Sequence, residues 1–291
     1  MSLGKKLINI SGAAPVPVGT DNFNTVLYTG NGSTQSITGV GFQPDFVWVK
    51  ERSAIGQHSL FDSVRGATKR LDSSSANAES TASSSLTSFN SDGFTFGAES
   101  GNNNGVTAVA WNWYAPTSET NTSGTITSTI KKNVDAGFSI ASYTGNGTQN
   151  ATIGHGLTSP SLLLVKNLSQ ADSWFVGSTL LAANNSMELN STAAAGTAAD
   201  FHYEITSTAF KTTSSTPAHM INASGENYIM YTFADVAGYQ KVGSYTGTGN
   251  ASNTVDVGFT PSWLMTKRSN STGPWMIFDN KRNPSNPRNT R

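Results

Sequence analysis

One pentapeptide returns three times along the chain, as Tyr28-Thr29-Gly30-Asn31-Gly32, Tyr143-Thr144-Gly145-Asn146-Gly147 and Tyr245-Thr246-Gly247-Thr248-Gly249. Such self-similarity means that copies of one unit fold alike, which decides the architecture before any local propensity does. After each copy comes a polar stretch and then an apolar run closed by lysine. Those runs are Phe46-Val47-Trp48-Val49-Lys50, Leu162-Leu163-Leu164-Val165-Lys166 and Trp263-Leu264-Met265-Thr266-Lys267. The first and third copies align without a gap. The offset that lays Tyr28 on Tyr245 also lays Phe42 on Phe259, Pro44 on Pro261, Lys50 on Lys267, Phe61 on Phe278, Asp62 on Asp279 and Arg65 on Arg282. The second copy needs one inserted residue, placed near Ser159 and Pro160, after which Trp174 takes the position of His58 and Trp275.

Short apolar runs bounded by Gly, Asn, Ser and Thr read as many short strands joined by turns. Each complete unit ends in a further apolar strand, Val106–Ala115 in the first and Tyr228–Ala234 in the second. Trp111 and Trp113 alternate there with Asn112 and Tyr114, the pattern of a strand with one core face and one wetter face. The expected fold is all-β: tandem antiparallel β-sandwich modules, strung as beads, the third incomplete at the chain end. The boundaries expected are an N-terminal arm at 1–20, module one at 21–115, a linker with an extra exposed strand at 116–136, module two at 137–236 and the start of module three at 237–291. The short connection Asp235–Lys241 implies a stiff junction. In the third module the counterparts of 75–115 are missing. Half a sandwich exposes its core and its strand edges, so the sequence is expected to belong to a longer polypeptide, with completion by a partner chain as the lesser alternative.

Composition narrows the function. Only 12% of residues are charged and the formal net charge is zero, which argues against nucleic acid as a partner, since phosphate binding needs clustered Lys and Arg. The hydrophobic fraction is a low 36%, but aromatics make up 10%, and disordered chains are depleted of them. There are no cysteines, so disulfides and thiolate metal sites are excluded. No apolar stretch of signal-peptide length follows Lys5 and Lys6, and none of about 20 residues occurs anywhere, so neither export nor membrane insertion is expected.

Candidate chemistry is sparse. His58, His155, His202 and His219 have no metal-ligand spacing, and His58 and His155 stand where other copies carry Trp or Val; they read as structural. Lys50, Lys166 and Lys267 read as strand-ending residues that keep their ammonium in water. Asp62 with Arg65, and Asp279 with Arg282, read as turn-closing ion pairs. Asp45, Glu51 and Glu99 do not recur as the paired set that glycoside hydrolysis needs. Tyr-Thr-Gly-Asn-Gly is a strand followed by a tight turn rather than a phosphate loop, and Asp92-Gly93 marks a hairpin. Trp48 aligns with Leu164 and Met265 and belongs to a core. Trp174 and Trp275 stand in more polar loops and are the candidates for glycan or partner contact. No enzyme, cofactor or metal is expected. Lys5, Lys6, Leu7, Ile8 and Ile10, in an arm that also carries Pro15 and Pro17, form a candidate docking segment.

The frame formed by Tyr28–Gly32, Phe42-Gln43-Pro44, Phe46–Lys50, Phe61-Asp62-Ser63-Val64-Arg65, Ser91-Asp92-Gly93-Phe94 and Ala110–Trp113 resembles a module repeated in tail-fibre-like and other virion structural proteins of marine bacteriophages, including those of cyanobacteria. The junction from Asp235 to Gly247 is similar to the module junctions of that group. The resemblance covers most of 21–291 and implies a lectin-like β-sandwich in a virion protein, without catalytic or ligand residues to carry over. The function expected is therefore a tail-fibre or host-attachment segment of a phage particle, homo-oligomeric, bound to other virion proteins through the arm and with a host-surface glycan as a possible ligand. A capsid decoration or head-fibre protein and a carbohydrate-binding module are the alternatives.

Overall fold

The computed structural model describes residues 19–99, 101–197, 202–213, 219–250 and 253–282. The docking candidates Lys5, Lys6, Leu7, Ile8 and Ile10 lie outside these residues.

Unit one carries nine strands: β1 (Phe23–Thr29), β2 (Gln35–Thr38), β3 (Phe46–Glu51), β4 (His58–Asp62), β5 (Lys69–Asp72), β6 (Ser80–Thr81), β7 (Leu86–Asn90), β8 (Gly93–Phe96) and β9 (Thr107–Trp113). They form a six-stranded sheet in the order β1-β9-β3-β4-β5-β6 and a three-stranded sheet β2-β8-β7. Unit two carries β10 (Thr117–Asn121), β11 (Ser128–Asn133), β12 (Phe138–Thr144), β13 (Thr152–Gly154), β14 (Pro160–Asn167), β15 (Phe175–Ser178), β16 (Asn185–Glu188), β17 (Gly196–Thr197), β18 (Tyr203–Ile205), β19 (Ala209–Thr212) and β20 (Asn227–Ala234). Its sheets run β10-β11-β12-β20-β14-β15-β16-β17 and β13-β19-β18. From β12 onward this repeats the order of unit one. In unit three β21 (Trp263–Thr266) pairs with β22 (Met276–Asp279), the counterparts of β3 and β4. The class is all-β, and units one and two are antiparallel sandwiches.

Turn chemistry explains the repeated pentapeptide. Gly32, Gly147 and Gly249 all adopt positive φ, near +68°, a conformation glycine takes without steric penalty. The motif asparagine then closes the turn: Asn31 Oδ1 accepts from Ser33 N, and Asn146 Oδ1 from Thr148 N. Asn102 and Asn222 brace it from across the unit, each accepting from the backbone N–H of the motif asparagine at 3.2 and 3.0 Å. The inserted residue of unit two is absorbed as a β-bulge between Pro160 and Leu162 on β14.

Each sandwich has its own core. Val47, Val49, Phe61 and Ala110 of the large sheet meet Ile37, Leu86, Phe94 and Phe96. Leu163, Val165, Phe175 and Met230 meet Ile153 and Phe210. The opposite faces of the large sheets are also apolar, and they cover one another. Phe46, Trp48, Leu60, Val109, Trp111 and Trp113 of unit one pack with Phe138, Ile140, Leu164, Trp174, Ile229 and Tyr231 of unit two. Trp263, Met265, Trp275 and Ile277 of unit three close onto the same cluster.

The expectation of beads on a string is therefore corrected: three sheets share a central core. The physical reason lies in β3 and β14, which are apolar on both faces and need a layer on each side. Residues 116–136 hold two strands where one was expected: β10, exposed along most of its length, and β11 extend the sheet of unit two, with Ile126 and Ile130 buried, and Lys131 Nζ reaches back to Asp45 Oδ1 at 2.8 Å. The wetter face expected on β9 is dry, since Asn112 is fully buried with Nδ2 on the carbonyls of Asn24 and Ala110. The junction at Asp235–Lys241 is pinned, with Gln240 Nε2 donating to the carbonyls of Gly137 and Ala234 at 2.8 and 2.7 Å.

Candidate functional site

The polar groups that mark the repeat converge at the interfaces between units. Asp62 ends β4 in a tight turn, where its Oδ1 accepts from the backbone N–H of Val64 (3.1 Å) and of Arg65 (2.8 Å). Its Oδ2 takes Arg65 Nε at 2.5 Å and the hydroxyl of Tyr231, from β20 of unit two, at 2.7 Å. The ion pair closes the turn, as its spacing suggested, and it is buried, with side chains 0% and 3% exposed. Burial works against the Arg65 charge, but Asp62, Tyr231 and Glu79 outweigh it and the pKa is raised. Arg65 is fully engaged, with Glu79 Oε2 at 3.1 Å and the Leu60 carbonyl at 3.3 Å. Saturation of this kind offsets the desolvation that otherwise makes a buried pair unfavourable. Burial drives the Tyr231 hydroxyl well above its ordinary range, so it stays a donor.

Unit three repeats the arrangement. Arg282 Nε pairs with Asp279 Oδ2, and the incoming donor is the indole N–H of Trp111, from β9 of unit one, at 3.1 Å. The Arg282 guanidinium lies 4.9 Å above the Trp111 ring, within cation–π range. Burial works to raise the Asp279 pKa, but the backbone and side chain of Arg282 and the Trp111 indole hold it below the usual carboxylate range. Trp111 sits opposite Trp48 and Tyr231 opposite Leu164, so the two donors occupy one position of the repeat.

A second contact recurs as well. The indole N–H of Trp174, in unit two, donates to the Asp72 carbonyl of unit one at 3.0 Å. That of Trp275, in unit three, donates to the Glu188 carbonyl of unit two at 2.9 Å. Asp72 pairs with Ser59 on β4 and Glu188 with Phe175 on β15, so these acceptors are equivalent too. Both contact types run in one sense, unit two onto one, three onto two and one onto three. This is the cyclic rule of a pseudo-threefold arrangement within a single chain.

These placements revise the candidate residues. Trp174 is fully buried and has no face to offer a sugar, while Trp275 is half-buried against unit two; both serve contacts between units. Lys166 is buried, its ammonium donating to the carbonyls of Asn167 (2.7 Å) and Gln170 (3.3 Å) rather than to water, and burial pulls its pKa down to about 8. Lys267 donates across the interface to the Thr192 and Ala193 carbonyls at 3.2 and 2.7 Å, and Lys50 to that of Glu51 at 2.6 Å. His58 accepts the Trp48 indole N–H at 3.0 Å and lies parallel to the Trp111 ring. Burial, with Lys50 and Arg282 nearby, lowers its pKa to about 4. His155 is buried, accepts the N–H of Leu157, and has its pKa lowered by burial. Among the described residues no group of three His, Asp or Glu side chains could hold a metal ion, and no helix is long and apolar enough to cross a membrane.

Residues 18–291 match the family described as Domain of unknown function (DUF7483). The chain belongs to this family. Comparisons with curated proteins and with solved structures return no match. The DUF7483 match spans all three units.

Sequence reasoning missed Tyr231, Lys131, Asn102 and Asn222 as interface or bracing residues. Only Tyr231 left a signal, an aromatic at the repeat position of Trp111.

Proposed function

We propose that this DUF7483 chain is a structural, non-enzymatic component of a bacteriophage particle, a segment of its tail-fibre or host-attachment apparatus. One observation carries the reading: the residues that define the repeat, Asp62, Arg65, Asp279, Arg282 and the aromatics at 111, 174, 231 and 275, are engaged in holding units together. A carboxylate that accepts four hydrogen bonds has no free lone pair for proton transfer, and a buried tryptophan has no face for substrate. Rigidity fits a part that transmits force and resists proteolysis. The resemblance of the module to phage structural repeats supplies the particle. Immunogold labelling of purified virions, with mass spectrometry of their proteins, tests it. Label on the tail is expected; absence from washed particles, or turnover of host polysaccharide by the purified protein, overturns it.

A further inference from the structure

One position of the repeat carries Trp174 in unit two, Trp275 in unit three and His58 in unit one. The two tryptophans are neutral and donate to a backbone carbonyl of the neighbouring unit. The imidazole is the one member of the set that titrates, and it feels the charge of Arg282 in unit three. His58 lies parallel to the Trp111 ring, with centroids 6.2 Å apart. The Arg282 guanidinium lies 4.9 Å from the centroid of the same ring, whose N–H donates to Asp279 Oδ2 at 3.1 Å. A single indole thus joins His58 to the charged turn that holds unit three on unit one.

This packing requires a neutral His58. Its Nδ1 accepts the Trp48 indole N–H at 3.0 Å, which only an unprotonated ring nitrogen can do. Protonation sets donor against donor. The surrounding charges offer no compensation. Lys50 stands directly opposite on β3, and the turn after β22 brings Arg282 with Asp279, which is already bound to Arg282 and Trp111. On the β5 side Asp72 is bound to Arg70 at 2.9 Å and to Ser59 Oγ at 3.1 Å. β9 brings the neutral ring of Trp111. An imidazolium here would meet two cations and two carboxylates that are already paired.

We propose that His58 is an acid-sensitive latch: its protonation opens the contact between units one and three while the contact between units one and two holds. Burial is the main reason that His58 takes its proton only near pH 4, and Lys50 and Arg282 add to it. Withdrawal of unit three removes Arg282 and admits water, so the open form binds the proton more tightly and acid shifts the population toward it. The latch is shut above pH 6.5, where the imidazole is neutral in both forms, and opens as pH falls toward 4. Units one and two stay joined because Trp174 stands where an imidazole would titrate. Trp275 and Lys267 keep their bonds to unit two and form the hinge.

The chain has no cysteine, so pairs of spin labels can be placed on introduced ones at the exposed positions 55, 180 and 276. The 55–276 pair reports on units one and three, the 55–180 pair on units one and two. Between pH 7 and pH 4 the long-distance population of the 55–276 pair should rise from below about 10% to a majority, with the 55–180 distance unchanged. His58→Trp and His58→Phe, which do not titrate, should keep the 55–276 pair short down to pH 4. The imidazole signal of His58, followed by NMR in the parent chain, should titrate over the same range as the opening. Lengthening of both pairs together, opening that persists in both variants, or a 55–276 pair that stays short at pH 4 in the parent chain overturns the proposal. So does titration of His58 at its ordinary value near 6.5.

Discussion

Tyr231 and Asp62 belong to different units, yet they share a 2.7 Å hydrogen bond in a buried setting. Tyr231→Phe removes one bond to a charged group and leaves the ring stacked on Phe46 at 4.3 Å, a loss of about 1.5–3 kcal/mol. Asp62→Asn leaves the guanidinium of Arg65 buried with Glu79 as its remaining carboxylate, a loss of about 3–5 kcal/mol. Once either partner is gone the shared bond cannot be lost again, so the double variant should fall short of additivity by about 1–2 kcal/mol. Urea unfolding reads this as midpoint shifts at constant m. If the units were separate beads the two losses would add to within about 0.5 kcal/mol, and that result refutes the interlocking described above.

Acid stability should depend on His58. Its pKa in the fold, about 4, lies below the ordinary 6.5, so the unfolded chain takes up the proton first. The stability at stake is full above pH 6.5 and is lost progressively as pH falls toward 4, by up to about 3 kcal/mol at 1.36 kcal/mol per unit. His58→Trp, the residue of units two and three, should flatten that limb of a stability-versus-pH curve; an unchanged limb contradicts the assignment. Trp174→Ala removes a fully buried indole and should destabilise by about 3–5 kcal/mol, while binding on a glycan array stays as in the parent; lost glycan binding without lost stability would restore the sugar-contact reading. Gly93 has φ +143°, and a Cβ there would come 2.0 Å from the Ile37 carbonyl oxygen. Gly93→Ala should therefore destabilise by well over about 1 kcal/mol, and a neutral melt would contradict the β2–β8 register.

Much of the fold was legible because the repeat is local information written three times. The positive-φ glycines, the Asp92-Gly93 hairpin, the bulge near Pro160 and the Asp62–Arg65 turn all follow from residue types at fixed offsets. The arrangement of the units was not read, although Phe46–Val49 and Leu162–Val165 carried the clue. A strand apolar on both faces must be covered twice, and its own sandwich covers it once. The environments of Asp62, Lys166 and Trp174 depend on that second layer. The sequence showed which residues pair within a turn, but not that a neighbouring unit would bury them.

Small-angle X-ray scattering from the monomeric chain weighs the central claim most directly, because it separates one packed body from a string without reference to any single contact. A compact chain of this length should have a radius of gyration of about 19 Å. Three touching modules in a line would give about 28 Å, taking each as a sphere of compact-domain size. A value near the first supports three sheets around one core, and a value near the second contradicts it.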